Sequence, residues 1–323
     1  MIRPATAAAI AAAADLIRRG EVVAFPTETV YGLGADATNA EAVARIFAIK
    51  HRPSFDPLIV HIANAAMCAM VARALPAAAV ALTERFWPGP LTLVLPKTER
   101  VPGIVTAGLP TVGVRMPEHP VARALIESAG TPIAAPSANR FGSVSPTAAA
   151  HVEAQLASLP LILDGGPCRV GLESTIVSFA DTEPALLRPG GIALEDLERV
   201  IGPLRIGGDS PSLAPGQLPR HYAPRVPLEI AAAARDIPVS ARAAAALLLP
   251  RADPDARGFA HVEVLSDDGA LTTVAANLFA ALHRLGAGGY ARIYAVAVPE
   301  TGLGRAIMDR LRRASEGAPA ARR

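Results

Sequence analysis

Apolar positions along this chain fall into two alternating patterns, short continuous runs and longer stretches at helical spacing. Residues 6–19 carry apolar groups on one helical face and close on Arg18, Arg19 and Gly20, a cationic last turn followed by a glycine stop. EVVAF (21–25) then reads as a buried strand. Asn39 followed by Glu41, with Val43, Ile46 and Phe47 at helical spacing, predicts a second helix that ends near Lys50. Runs bounded by Gly and Pro predict strands at 58–62, 91–95, 112–116, 132–135, 161–164, 174–179 and 185–188. Helices are expected between several of them, at 120–129 with proline in the first turn and at 147–157. The alternation predicts an α/β domain over residues 1–201.

From Gly202 to Val226 the text turns rich in Gly, Pro and Ser, which predicts an extended linker. The pattern restarts at 227: AAALLLP, HVEVL, a helix over about 271–285, RIYAVAV and a last helix to Arg313 give a smaller α/β domain ending at 314. Residues 315–323 are expected to be a disordered tail. No repeat of solenoid period is present in the text.

Composition narrows the class. Hydrophobic residues make up 51% and charged residues 19%, enough apolar surface for two cores. No uncharged apolar run approaches the roughly 20 residues of a membrane span, so no membrane association is expected. The N-terminal alanine-rich stretch carries Asp15 and reads as a helix of a cytoplasmic protein rather than a leader. Two cysteines, Cys68 and Cys168, cannot build a disulfide framework or a multi-cysteine zinc site, and the seven histidines form no HxxxH or HExxH pair. No bound metal site is expected. A formal charge of +2 leaves any anion binding to local groups.

Three clusters supply those groups. In KHRPSFDPLIVHI, Lys50 and Arg52 flank a helix end broken by Pro53, where they could aim at one phosphate or merely offset the helix dipole. FPTETVYGLGAD sets Thr27, Thr29 and two glycines in a loop after a strand, which suits either a pocket lining or a plain turn. APSANRFGSVSPT follows an apolar strand with Ser137, Asn139, Ser143, Ser145 and Thr147. Ligands bind at such strand ends, although Ser145 or Thr147 could simply cap the next helix. Neither a GxxxxGK[ST] loop nor a GxGxxG turn is present, which argues against a P-loop or dinucleotide fold.

Taken in order, these clusters with WPGPLTLVL, VGVRMPEHP, GLESTIVS, LLRPGGI and PGQLPRHYAP resemble the YrdC-like family in its long form, the threonylcarbamoyl-AMP synthases. The resemblance spans residues 25–224. It implies a YrdC-like open twisted mixed sheet with flanking helices, and a smaller Rossmann-like C-terminal domain. It also implies that L-threonine and bicarbonate form a carbamate whose oxygen attacks the α-phosphate of ATP, expelling pyrophosphate. The product would feed N6-threonylcarbamoyladenosine modification of tRNA through a downstream transfer machinery, with Mg²⁺ accompanying ATP and no direct tRNA binding required.

Carried onto this sequence, the resemblance implies that Lys50 and Arg52 are catalytic phosphate ligands. Thr29, His61, Arg115, Ala135, Ser174 and Thr175 would contact threonine. Arg52, Asp56, Thr111, Ser137, Asn139, Ser145, Arg188, His221 and Tyr222 would contact the nucleotide, the last two as a lid from the linker. Asp56 stands where the family commonly has Asn, and its charge opposes phosphate unless it faces Arg52 or Mg²⁺. An RNA-binding module without catalysis is the competing class. Only 4% of residues are aromatic, which gives it few stacking platforms.

Overall fold

The structure is a computed structural model that describes residues 1–207 and 221–316. The expected linker 202–226 and tail 315–323 therefore lie partly outside the described residues.

The first domain is built on an 11-stranded mixed sheet. Its spatial order is Ile2–Pro4, Ile162–Asp164, Val23–Phe25, Gly32–Asp36, Ile133–Ala134, Ile59–His61, Thr111–Arg115, Leu91–Pro96, Thr175–Ser178, Ala185–Arg188 and Arg205–Ile206. Neighbours run parallel at Ile59–His61 with Thr111–Arg115 and at Leu91–Pro96 with Thr175–Ser178, and antiparallel at Val23–Phe25 with Gly32–Asp36. Helix Ala7–Arg18 starts at Thr6, whose hydroxyl accepts from the Ala9 amide at 3.2 Å. Helix Ala40–Lys50 starts at Asn39, whose side chain accepts from Glu41 and Ala42, and it ends on His51 in the left-handed conformation (φ 51°). Helix Pro120–Ala129 opens on proline and closes on Gly130 at φ 71°, as its sequence predicts.

Two local expectations need correction. Gly32–Asp36, read as part of a turn-rich loop, is a central strand. A Cβ at Gly34 would collide with Phe25 and Ile133, so glycine lets the bulky neighbours close over this strand. The helix expected over 147–157 spans only Ala149–Glu153. Its N-cap is Ala148, so neither Ser145 nor Thr147 caps it.

The second domain carries a four-stranded parallel sheet in the order Leu228–Ala231, Arg292–Val296, Ala245–Leu249, His261–Val264. Helices Leu271–Ala287 and Gly304–Ser315 pack on it, the latter running two residues beyond the expected Arg313. Val30, Val144 and Leu172 of the first domain join its apolar core. Val30 and Val144 belong to two of the polar clusters singled out above and Leu172 to the GLESTIVS motif, so the second domain packs against those segments. Among the described residues no helix is long and apolar enough to cross a membrane.

Candidate functional site

The polar side chains gather at a cleft of about 530 Å³, its mouth included, at the strand ends of the first domain. Thr27 organises one wall. Its hydroxyl donates to the Val30 carbonyl at 2.6 Å and accepts from the Thr29 and Val30 amides. With that proton spent, the 2.8 Å contact between Thr27 and Thr29 has Thr29 as donor. Thr29 Oγ1 in turn accepts from Arg115 Nη1 at 2.8 Å.

Arg115 and His61 end adjacent parallel strands as register partners, so both reach the same cleft. Arg115 pairs with buried Glu28 at 2.6 Å and donates from Nε to the Gly89 carbonyl at 3.3 Å. Its remaining N–H groups are what a ligand carboxylate can use. Burial would raise the Glu28 carboxyl, but Arg115 outweighs it and holds Glu28 below its ordinary range. Burial and then the Arg115 charge pull His61 down to about 3. His61 is therefore neutral, and its buried Nδ1 has no protein partner.

Arg52 lines the cleft, whereas Lys50 does not. Lys50 is buried and its Nζ donates to the carbonyls of Ser137 (2.6 Å) and Asn139, bracing the loop that carries Ser137 into the cleft. Burial and the neighbouring Arg52 charge pull the amine well below its ordinary range. Arg52 is only 8% exposed and is held by the Asp56 and Pro57 carbonyls and by Asp56 Oδ2 at 2.8 Å. Asp56 sits behind it, buried, facing Arg52 as charge balance requires, with neither carboxylate oxygen in a well-aligned hydrogen bond. Burial raises its carboxyl despite Arg52 and Lys50.

On the opposite wall, Ser174 shares a 2.7 Å hydrogen bond with Thr92, and Arg188 Nη2 donates to the Ser174 carbonyl at 2.9 Å. Glu173 lines the cleft beside them, accepting from Ser145 Oγ at 2.6 Å and from Arg310 Nε at 2.8 Å. Burial would raise this carboxyl; Arg310 and Arg188, with the hydrogen bonds, bring it to about 2. His221 and Tyr222 close one side. Tyr222 adopts φ 63° and stacks on Phe279 of the second domain, while His221 meets Phe141 edge-on.

Of the expected site residues, Thr29, Arg52, His61, Arg115, Ala135, Ser137, Ser174, Arg188, His221 and Tyr222 line this one cleft. Asn139 and Ser145 stand behind it, Asn139 bracing its loop through the Arg140 and Ser143 carbonyls. Thr175 is turned away and exchanges hydrogen bonds with Ile192. Thr111 opens on a separate, smaller pocket with Pro57 and Thr92. Sequence reasoning missed Glu173, Glu28 and Arg310. Glu173 stood inside a quoted motif, GLEST, where an acid on the approach to a buried strand was the available signal. Among the described residues no cluster of three His, Cys, Asp or Glu is placed to hold a metal ion.

A mixed α/β sheet whose strand ends collect three arginines beside small hydroxyls defines a site for an anion next to a small polar ligand. The Sua5_yciO_yrdC family model, described as telomere recombination, matches residues 15–190, and the model for the threonylcarbamoyl-AMP synthase C-terminal domain matches residues 192–316. The chain belongs to this threonylcarbamoyl-AMP synthase family. It is 45% identical to the threonylcarbamoyl-AMP synthase of Pyrococcus abyssi over 94% of this chain and 93% of that one. It is 44% identical to that of Bacillus subtilis over 95% and 93%. The crystal structure of P. abyssi Sua5 complexed with L-threonine superposes with a TM-score of 0.89 at 43% identity, covering 98% of this chain and 97% of that one.

Proposed function

We infer that this chain is a threonylcarbamoyl-AMP synthase, and that the carbamate it adenylates arises from L-threonine and bicarbonate. The observation that carries the reading is the convergence of Arg52, Arg115 and Arg188, from three distant segments, on one cleft lined by Thr29, Ser137 and Ser174. Three buried guanidinium groups around small hydroxyls suit a polyanion held beside an amino acid. An RNA platform would need exposed cations and stacking rings instead.

In this reading the free N–H groups of Arg115 take the threonine carboxylate and neutral His61 accepts from its hydroxyl. The threonine amine joins bicarbonate with loss of water, and the carbamate oxygen attacks the α-phosphate of ATP. Pyrophosphate leaves, carrying the electron pair of the broken P–O bond. Arg52 and Arg188 offset the charge that develops on the phosphates, and Ser137 orients the nucleotide. Lys50 and Asn139 act one step back by fixing the Ser137 loop. His221 and Tyr222 shield the labile carbamate from water. ATP arrives as its Mg²⁺ complex, the ion adding charge neutralisation on the phosphates. Glu173 already accepts two hydrogen bonds and Asp56 is turned to Arg52, so the ion is carried by the nucleotide. The product passes to a tRNA threonylcarbamoyl-transfer machinery, so this chain need not bind tRNA.

The test is pyrophosphate release from ATP, Mg²⁺, bicarbonate and L-threonine, with L-serine as control. Release should require threonine and bicarbonate and fall with serine. Threonine-independent release, or none, would sink the reading.

A further inference from the structure

A buried arginine of the second domain, Arg310, braces residues that line the cleft. Arg310 lies on helix Gly304–Ser315, is fully buried, and donates from Nε to Glu173, 137 positions earlier in the chain. Its Nη2 donates to the Pro189 carbonyl at 3.0 Å, next to Arg188, and its guanidinium lies 5.1 Å from the centre of the Tyr222 ring. Asp309 pairs with both Arg310 and Arg313, and Arg188 adds a third guanidinium to the two carboxylates gathered here. One of those carboxylates, Glu173, faces the cleft. Without Arg310 it would lose its directly hydrogen-bonded cation, leaving Arg188 as the nearby charge, and would present more of its negative charge to any polyanion entering.

We propose that Arg310 is a positioning residue for nucleotide binding: it neutralises Glu173 and fixes Tyr222 and the Arg188 segment, making the ATP site depend on the C-terminal domain. The proposal rests on the adenylation reading above. It gives the second domain a part in binding without any atom of Arg310 lining the cleft. In the adenylation reading the threonine carboxylate is taken by Arg115 and its hydroxyl by His61, neither of which Arg310 contacts, so threonine binding should change less than ATP binding.

The full-length Arg310→Met protein should raise KM for ATP about tenfold, the scale of a broken buried coupling, with KM for threonine changed by less than about twofold. Arg310→Lys keeps the charge and loses the fork, so its KM for ATP should fall between wild type and Arg310→Met. Glu173→Gln/Arg310→Met removes the stranded charge and should bind ATP more tightly than Arg310→Met alone. Calorimetric titration with MgATP in the absence of threonine reads the same differences. A melting temperature that falls while KM for ATP stays at the wild-type value in both single variants would overturn the proposal. So would a double variant no better than Arg310→Met. If Arg310→Met does not fold, Arg310→Lys with wild-type ATP affinity overturns it and weakened affinity supports it. Wild type that binds ATP but releases no pyrophosphate defeats the adenylation reading, while the titrations still decide on Arg310.

Discussion

Arg52 and Asp56 are four residues apart and both are buried, so each holds the other's charge inside the protein. Removing one partner of such a pair leaves an unpaired ion and costs about 3–5 kcal/mol. Arg52→Ala should therefore lose both turnover and stability. Arg52→Ala/Asp56→Asn should recover most of the stability, read by urea unfolding, and none of the threonine-dependent pyrophosphate release. A double variant that regains activity would remove Arg52 from the site. The sequence placed both residues in one run but suggested an exposed helix end. What it lacked was depth: Lys50 and Arg52 are covered by the Ser137–Phe141 loop, about ninety positions away, and Phe141 lies beneath the Arg52 guanidinium at 5.9 Å. Local spacing identifies the cations. Only the tertiary fold shows that Lys50 faces carbonyls and Arg52 faces the cleft.

At the scale of elements, the strands with β-branched and leucine runs, such as Leu91–Pro96 and Thr175–Ser178, were legible because apolar burial on both faces writes itself into sequence. Gly32–Asp36 was not, since its glycines serve packing against Phe25 and read locally as a turn. The same closeness governs LLRPGGI. A Cβ on Gly190 would overlap the backbone from Glu173 to Thr175, the segment that presents Glu173 and Ser174 to the cleft. Gly190→Ala should push this segment away from Arg188 and cost about 1–3 kcal/mol of stability, the usual range for overpacking. Its signature should be a loss of threonine-dependent turnover larger than the stability loss explains at 25 °C. Wild-type turnover in a folded Gly190→Ala protein would show that the Ser174–Arg188 contact is not needed.

At the scale of the whole molecule, the two domains meet over titratable groups that the sequence scattered as lone histidines. His151 of the first domain stacks on His283 of the second, ring centres 4.0 Å apart, and His283 Nε2 lies 3.1 Å from the Ser145 carbonyl. Thr147 and Arg284 also face the pair, and Arg140, Ser143, Gln155 and Arg225 line the pocket beside His283. Burial, then the charges of His283 and Arg284, pull His151 to about 4, and burial lowers His283 although the Ser145 carbonyl works against it. In the unfolded chain both would titrate near the ordinary value of about 6.5. As pH falls below that value the unfolded state takes up protons that the folded state refuses, so stability falls with them. Buried His61 and His221, each at about 3, add to the same slope. The histidine contribution to the melting temperature should thus level off above about pH 7 and drop steadily from pH 6.5 toward pH 4. His283→Gln keeps a planar polar side chain at the interface and removes one of these protonations. It should make that drop shallower while leaving the plateau within a few degrees of wild type. An unchanged slope between pH 6.5 and 4 would mean that the domains do not meet over a neutral histidine pair in solution.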